Sequence, residues 1–304
     1  ITFTGTNGVA PFTFTYQVNG GMEQNVSTTS GNTVEVTQPT TNLGTFTYTL
    51  ISVVDANNCT QAQSDSAVIT INALPTAGIN GTTTICQNAT SPEILFTSDQ
   101  GVAPYTFTYK VNNGPNQTVT TTSGSSAVVA RATNIAGIFV YELISVADAN
   151  NGSQAQSGTA TITVNPLPTA TISGTTTLCK DEPNTLITFT GATGTAPYTF
   201  TYTVNGGSAQ TLTTSTGNTA TLEQATGSAG VFTYTLVSAS DATECSQNQT
   251  GTATITINEL PTATVSGTTS VYNNDATPEI TFTGTNGTAP YTFTYTINDG
   301  PNQT

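Results

Sequence analysis

Residues 187–206 read ITFTGATGTAPYTFTYTVNG, and two short segments within this stretch alternate between large apolar or aromatic residues and threonine. In the second segment Tyr198, Phe200 and Tyr202 share one face of an extended chain, while the threonines between them share the other. Asn205-Gly206 follows directly, and this dipeptide tolerates the positive φ of a tight hairpin turn. The stretch therefore predicts antiparallel β-strands with one buried face. Equivalent turns are predicted at Asn19-Gly20, Asn113-Gly114 and Asp299-Gly300.

The same stretch returns along the chain at a fixed interval. Its opening motif begins at Ile1, Ile94, Ile187 and Ile280, and every step is 93 residues. A unit of this length is too long for a solenoid repeat and matches one small β domain. We therefore predict four repeats, the first and last truncated, so that the chain looks like a window cut from a longer array. The predicted boundaries are 1–73, 74–166, 167–259 and 260–304.

One complete repeat, residues 167–259, contains seven segments with strand character, separated by Gly, Asn, Pro and Ser. No segment has the 3.6-residue period of an amphipathic helix. The sequence thus predicts an all-β fold of tandem Ig-like β-sandwich domains. The predicted strands are 169–173, 186–190, 198–204, 210–213, 219–222, 231–238 and 253–257. The predicted core consists of Ile187, Phe189, Phe200, Tyr202, Phe232, Tyr234, Leu236, Ile255 and Ile257.

The linkers between repeats are short. At Leu74-Pro75, Leu167-Pro168 and Leu260-Pro261 the last strand of one repeat passes into the first strand of the next in about four residues. Because proline fixes φ and no Gly/Ser run is present, each junction is predicted to be short and stiff. A repeat on the order of 35–40 Å long then gives a linear rod somewhat over ~100 Å in length.

The composition excludes several classes of function. The 304 residues include 3 Lys and Arg, 17 Asp and Glu and no His, which gives a net charge of -14. So few cations cannot neutralise a run of phosphates, and we predict no nucleic-acid partner. Without imidazole most hydrolase and zinc chemistry is excluded, and we predict no enzymatic activity and no cofactor. Because no segment approaches ~18 consecutive apolar residues, we also predict no membrane insertion.

Three aspartates are the candidate metal ligands. Asp55, Asp148 and Asp241 stand one repeat apart, each at the end of the same strand-like segment. Side-chain oxygens at domain junctions hold Ca²⁺ in cadherin-like arrays, but Ca²⁺ normally takes six or more oxygens, and no dense acidic cluster surrounds these residues. An aspartate that caps a turn through the nearby backbone is the interpretation that the residue type favours.

The four cysteines are disulfide candidates, and they occupy two positions of the repeat. Cys86 and Cys179 are 93 residues apart, before the second predicted strand, whereas Cys59 and Cys245 are 186 residues apart in the last predicted hairpin. Three arrangements remain open: a Cys179–Cys245 bond inside one repeat, a Cys86–Cys245 bond between neighbouring repeats, and unpaired thiols. An Ig-like topology places the loops of Cys179 and Cys245 at opposite poles, beyond the ~7 Å limit between Cα atoms. A secreted context favours disulfides in general.

Three strings of the repeat together resemble the tandem Ig-like (PKD-like) repeats of giant cell-surface and gliding-motility adhesins of Bacteroidota. They are L-P-T-A-x-I-x-G-T-T-T-x-C, then I-T-F-T-G with A-P-Y-T-F-T-Y-x-V-N-G-G, and T-F-T-Y-T-L-x-S-V-x-D-A. The resemblance implies export by the type IX secretion system, display on the extracellular cell surface and service as a stalk or filament. Gly152 and Tyr272 stand where the pattern has cysteine, so the disulfides are not uniform.

The partners expected of such a segment are the neighbouring repeats of its own chain and identical chains in a filament. The alternative function is an array of carbohydrate- or calcium-binding modules. A sugar site would need aromatic residues on the outer face, and almost every Tyr and Phe fits the inward phase of its strand instead.

Overall fold

The computed structural model describes residues 1–304, and its regular elements are all β-strands. It contains no helix with the length and apolar character needed to span a membrane. The strands of the first repeat are β1 (Thr2–Thr4), β2 (Thr13–Val18), β3 (Gln24–Ser27), β4 (Thr33–Glu35), β5 (Gly44–Val54), β6 (Thr60–Ala62) and β7 (Ser66–Ile71). Those of the second are β8 (Thr76–Asn80), β9 (Thr83–Cys86), β10 (Glu93–Asp99), β11 (Thr106–Val111), β12 (Gln117–Thr120), β13 (Ser126–Ala130), β14 (Gly137–Ala147), β15 (Ser153–Ala155) and β16 (Thr159–Asn165).

The remaining strands belong to the third repeat, residues 167–259, and to the fourth, residues 260–304. Those of the third are β17 (Thr169–Ser173), β18 (Thr176–Cys179), β19 (Thr185–Ala192), β20 (Thr199–Val204), β21 (Gln210–Thr213), β22 (Thr219–Gln224), β23 (Gly230–Ser240), β24 (Ser246–Asn248) and β25 (Thr252–Asn258). Those of the fourth are β26 (Thr262–Ser266) and β27 (Thr281–Thr285).

The third repeat is a sandwich of two sheets. One sheet has the order β17-β19-β22, and the other has the order β18-β25-β23-β20-β21 with β24 attached to β23. β17 and β18 are consecutive in the chain but lie in different sheets, since β17 pairs antiparallel with β19 and β18 pairs parallel with β25. Two small sheets of this size, formed within about 90 residues, are typical of Ig-like sandwiches. The predicted fold class of all-β, tandem Ig-like β-sandwiches is confirmed.

Two strands of the third repeat were missing from the sequence prediction. The alternating pattern predicts seven strands, and the structure adds β18 and β24. These strands have four and three residues, TTLC and SQN, which is too short and too polar for a period of two to be visible. Their positions are set by the longer strands that they pair with, β25 and β23.

The core of the third repeat is formed by the predicted alternating residues. All nine predicted core side chains belong to one cluster, and only Phe232 among them is partly rather than fully buried. The ring of Phe189 lies 5.6 Å from Phe200 and 5.1 Å from Tyr202, so the two sheets are joined by packed aromatic rings. Ala239 and Ala253 also belong to this core without having been predicted, as does Tyr198, which was predicted to share a face with Phe200 and Tyr202.

A β-bulge explains why Ala239 was missed. The register between β20 and β23 shifts between Thr201 and Tyr202, which pair with Ser238 and Leu236 respectively. Val237 is the additional residue on β23, and it is 39% exposed. A bulge of this kind reverses the faces of the residues beyond it, so Ala239 is buried although strict alternation from Leu236 would expose it.

The hairpin between β20 and β21 has the predicted turn. Asn205 and Gly206 have φ values of 50° and 70°, and the Asn205 side-chain oxygen accepts a hydrogen bond from the Thr233 amide at 2.7 Å. In the second repeat the positive φ values belong to Asn112 and Asn113. The prediction of a turn at Asn113-Gly114 was therefore wrong by one residue, and Asp299-Gly300 was wrong in the same way because Asn298 and Asp299 carry the positive φ values.

The chain forms two compact units. The first comprises residues 1–83, 91–131 and 139–162, and the second comprises residues 84–90, 132–138 and 163–304. Within the first unit, an aromatic cluster of the first repeat includes Phe3, Phe14 and Tyr48. Within the second unit lie the complete sandwich of the third repeat and the β26–β27 pair.

Candidate functional site

The carboxylates of the candidate calcium ligands accept hydrogen bonds from backbone amides. Asp241 follows β23, and its Oδ2 accepts the Thr195 amide at 2.8 Å while its Oδ1 accepts the Thr243 amide at 3.0 Å and the Thr243 hydroxyl at 2.7 Å. Thr195 lies in the loop between β19 and β20, so one carboxylate joins that loop to the β23–β24 turn. Asp241 is 7% exposed, which leaves little of it for a ligand from solvent.

The same arrangement recurs in the two preceding repeats. Asp148 accepts the amides of Val102, Asn150 and Gly152 at 2.8–3.1 Å. Asp55 accepts the amide of Val9 at 3.2 Å, and the amides of Asn57 and Cys59 at 3.0 and 2.9 Å. Each aspartate therefore acts as a turn cap that also fastens a second loop.

Hydrogen bonding to the backbone affects the charge state of Asp55. The Cys59 amide, followed by the Val9 amide, lowers the pKa of Asp55 because these donors favour the carboxylate over the acid. A lowered pKa in the folded state stabilises the fold above the pKa of the unfolded chain. This contribution is lost as the pH falls through the folded pKa.

No group of three or more Cys, Asp or Glu side chains in residues 1–304 lies close enough together to hold a metal ion. Because Ca²⁺ takes six or more oxygens, the three aspartates would need many further ligands, and their own oxygens already accept amide hydrogens. In the structure, Asp55, Asp148 and Asp241 thus have a structural role at one end of each sandwich.

The Asp241→Ala substitution tests this structural role. The change leaves the Thr195 and Thr243 amides without their acceptor, and we expect the free energy of unfolding of the third repeat to fall by about 1–3 kcal/mol. Urea denaturation followed by circular dichroism measures the loss. Glu182→Ala is the control, because it removes one negative charge from an exposed side chain. Equal effects of the two changes would show that charge, rather than the hydrogen bonds, is responsible.

A disulfide connects the second repeat with the third. Cys86 ends β9 and Cys245 directly precedes β24, and the two are bonded with their Cα atoms 5.5 Å apart. Both residues belong to the second compact unit. Cys245 has no exposed surface. Of the three arrangements that the sequence left open, the structure therefore has the bond between neighbouring repeats.

Cys59 and Cys179 are unpaired and exposed. Cys179 occupies in the third repeat the position that Cys86 has in the second, since 179 - 86 = 93. Cys59 occupies in the first repeat the position that Cys245 has in the third, since 245 - 59 = 186. In the pattern of the Cys86–Cys245 bond, the partners of Cys179 and Cys59 would stand 159 positions away, outside residues 1–304.

The three basic residues all have a partner. Lys110 lies 3.1 Å from Glu142, and Lys180 lies 3.5 Å from Glu259. The guanidinium carbon of Arg131 lies 3.4 Å from the centre of the Phe139 ring, a cation–π contact. Most of the 17 acidic side chains therefore have no basic partner.

Recurring polar contacts of buried residues were not predicted from the sequence. Thr28, Thr121 and Thr214 are buried, and each hydroxyl accepts the amide of the aromatic residue that follows a cis Ala-Pro bond. Their spacing of 93 residues is shared by other threonines of the repeat, such as Thr13, Thr106 and Thr199, so the sequence carries no signal that singles them out. These contacts hold the residue that directly precedes β2, β11 or β20, and they form no open site.

Two grooves lie in the first repeat and at the fourth repeat. In the first repeat, the groove is lined by the segment from Thr4 to Gly8, by Phe14 and by Gln63. The residue that corresponds to Gln63 in the third repeat is Gln249, whose side chain bonds to the Ala170 amide and the Pro168 carbonyl at the start of β17. The groove therefore lies where the third repeat has β17. The second groove involves the fourth repeat, which has only β26 and β27.

No protein-family model matches the chain, and no curated protein matches it. Among solved structures, the chain is similar to a 1.5-MDa bacterial ice-binding adhesin with 16% identity and a TM-score of 0.39, over 84% of this chain and 89% of that one. An I-band fragment of titin has 14% identity and a TM-score of 0.45, over 84% and 90%. A tetra-tandem repeat from the extending region of a large adhesion protein has 18% identity and a TM-score of 0.30, over 88% and 72%. Because all three TM-scores are below 0.5, no function follows from these likenesses.

Proposed function

We propose that the chain is a non-enzymatic structural segment of a large extracellular surface adhesin, in which Ig-like sandwiches in series form a stalk or filament. The observation that supports this best is the connection between sandwiches. β16 ends at Asn165 and β17 begins at Thr169, so that only Pro166, Leu167 and Pro168 lie between them. Two prolines in three residues restrict the backbone, and the Cys86–Cys245 disulfide adds a second covalent connection between the same two repeats.

The side chains that carry chemistry in other proteins have structural contacts in this one. The carboxylates of Asp148 and Asp241 accept backbone amides, and Lys110 and Lys180 are paired with glutamates. The chain also has no histidine. These contacts support a mechanical function over a catalytic or calcium-binding one.

The proposed location is the outside of a bacterial cell. A disulfide supports an oxidising compartment, because cytosolic thiols are normally kept reduced. The motif strings described above support the finer proposal of a Bacteroidota protein exported by the type IX secretion system. The proposed partners are the neighbouring repeats of the same chain and identical chains in a filament.

Electron microscopy with an antibody against residues 1–304 tests this proposal. Purified chain in negative stain is expected to form narrow particles somewhat over ~100 Å long. Intact cells that produce the protein are expected to carry the label on extended surface structures, without permeabilisation. Non-immune antibody controls for adsorption. Label found only after permeabilisation, or compact purified particles, would contradict the proposal.

A further inference from the structure

The Cys86–Cys245 disulfide closes an unusually large covalent loop. The two residues are 159 positions apart in the sequence, while their Cα atoms are 5.5 Å apart. The loop therefore contains residues 87–244, which is 244 - 87 + 1 = 158 residues. All strands from β10 to β23 lie inside it, and β8, β9, β24 and β25 lie outside it.

The position of the bond determines which strands carry tension when the chain is pulled from its ends. Tension that enters the second repeat passes along β8 and β9 and reaches Cys86 at the end of β9. From there the shortest covalent path crosses the disulfide to Cys245 and continues along β24 and β25. The residues between the two cysteines are outside this path.

We propose that the Cys86–Cys245 disulfide is a force shunt, which withholds the 158 residues between the two cysteines from extension. The proposal rests on the proposed function as a stalk, because only a segment under tension benefits from it. The shunt keeps most of the second and third sandwiches from being extended. This holds even when the strands on the covalent path through the disulfide separate from their neighbours. When its repeats unfold, a stalk with this shunt lengthens by about 520–570 Å less than the same stalk without the bond.

The burial of one sulfur protects the shunt. Cys245 has no exposed surface and is covered within the folded third repeat. Reduction begins when a thiolate attacks one sulfur of the disulfide, and burial blocks access to that sulfur. Only the Cys86 side, which is partly exposed, is open to attack while the repeats are folded.

Single-molecule force spectroscopy on the complete 304-residue chain, held at its two ends, tests the shunt. The oxidised chain has 86 + 60 = 146 residues on the covalent path, and we expect a maximum length of about 480–530 Å. The Cys86→Ser/Cys245→Ala variant has all 304 residues on the path, and we expect about 1,000–1,090 Å. The difference of about 520–570 Å is the length that the disulfide withholds.

The same measurement distinguishes the shunt from other cysteine pairings. A bond between Cys179 and Cys245 would withhold residues 180–244, which is 244 - 180 + 1 = 65 residues, or about 215–235 Å. The Cys59→Ser/Cys179→Ser variant keeps the shunt and is expected to retain the short length of the oxidised chain. A full length of about 1,000 Å in the oxidised chain, or a long Cys59→Ser/Cys179→Ser variant, would overturn the proposal.

Failure of the shunt and failure of the proposed function give different results. The force measurement uses purified chain, so it does not depend on where the protein is found. Label confined to the inside of cells would overturn the surface function and leave the withheld length unchanged. An oxidised chain that extends fully would overturn the shunt and leave the stalk in place.

Discussion

Phe200→Ala is expected to lower the free energy of unfolding of the third repeat by about 3–5 kcal/mol. The Phe200 side chain has no exposed surface. Its ring lies 5.6 Å from Phe189 on the opposite sheet and 6.4 Å from Tyr198, which directly precedes β20. Truncation therefore removes buried apolar area and leaves a cavity between rings that belong to different strands.

Urea denaturation measures this loss, with tyrosine fluorescence as the signal because the chain has 11 tyrosines and no tryptophan. Val231→Ala is the matched control, since Val231 lies in β23 of the same sandwich but is 57% exposed. We expect the control to change the free energy of unfolding by less than about 0.5 kcal/mol. A similar loss for both variants would mean that Phe200 does not lie in the core.

The core could be predicted from the sequence because burial in a sandwich follows the period of the strand. Phe200 and Tyr202 alternate with threonine, and both are buried in the structure. The period does not show where a strand acquires an extra residue, because a bulge depends on the register with the neighbouring strand. Ala239 is buried beyond such a bulge, and its burial was therefore not predictable from β23 alone.

Comparison of two repeats shows how the loop before the aromatic strand adapts to a change of one residue. A Cβ atom on Gly191 would lie 2.5 Å from the ring of Tyr198, so glycine allows the ring to approach the backbone. The second repeat has Ser98 at this position, since 191 - 93 = 98. There the hydroxyl of Tyr105 bonds to the Gln100 carbonyl, whereas that of Tyr198 bonds to the Gly194 carbonyl. The loop thus accommodates a larger residue by changing the carbonyl that receives the tyrosine.

The candidate sites were less predictable than the core, because they depend on distances between loops that are far apart in the sequence. The repeat placed Asp55, Asp148 and Asp241 at one position of each sandwich, but their amide partners up to 46 residues away could not be derived from it. The cysteines were likewise assigned to two positions of the repeat. Which cysteines bond depends on how close the loops of neighbouring repeats approach, and the sequence alone does not give that distance.

Removal of the Cys86–Cys245 disulfide is expected to have an effect as large as the loss of a core aromatic. In the chain-entropy model, a bond across 159 positions lowers the entropy of the unfolded chain and stabilises the fold by about 5 kcal/mol at 25 °C. The Cys86→Ser/Cys245→Ala variant is therefore expected to unfold at a lower temperature in calorimetry, and the wild-type chain is expected to shift in the same direction when reductant is present. Alanine is chosen at position 245 because Cys245 is fully buried, and a serine hydroxyl there would add a separate cost.

The two unpaired cysteines provide the control for this experiment. Cys59→Ser/Cys179→Ser removes the same number of sulfur atoms from exposed positions, and its unfolding temperature is expected to equal that of the wild-type chain. The entropy argument also predicts where the effect is found. Because the bond restricts residues 87–244, the transitions of the second and third repeats should move together, while that of the first repeat stays in place. A shift of the first repeat, or no shift of the other two, would show that the bond does not connect the repeats in solution.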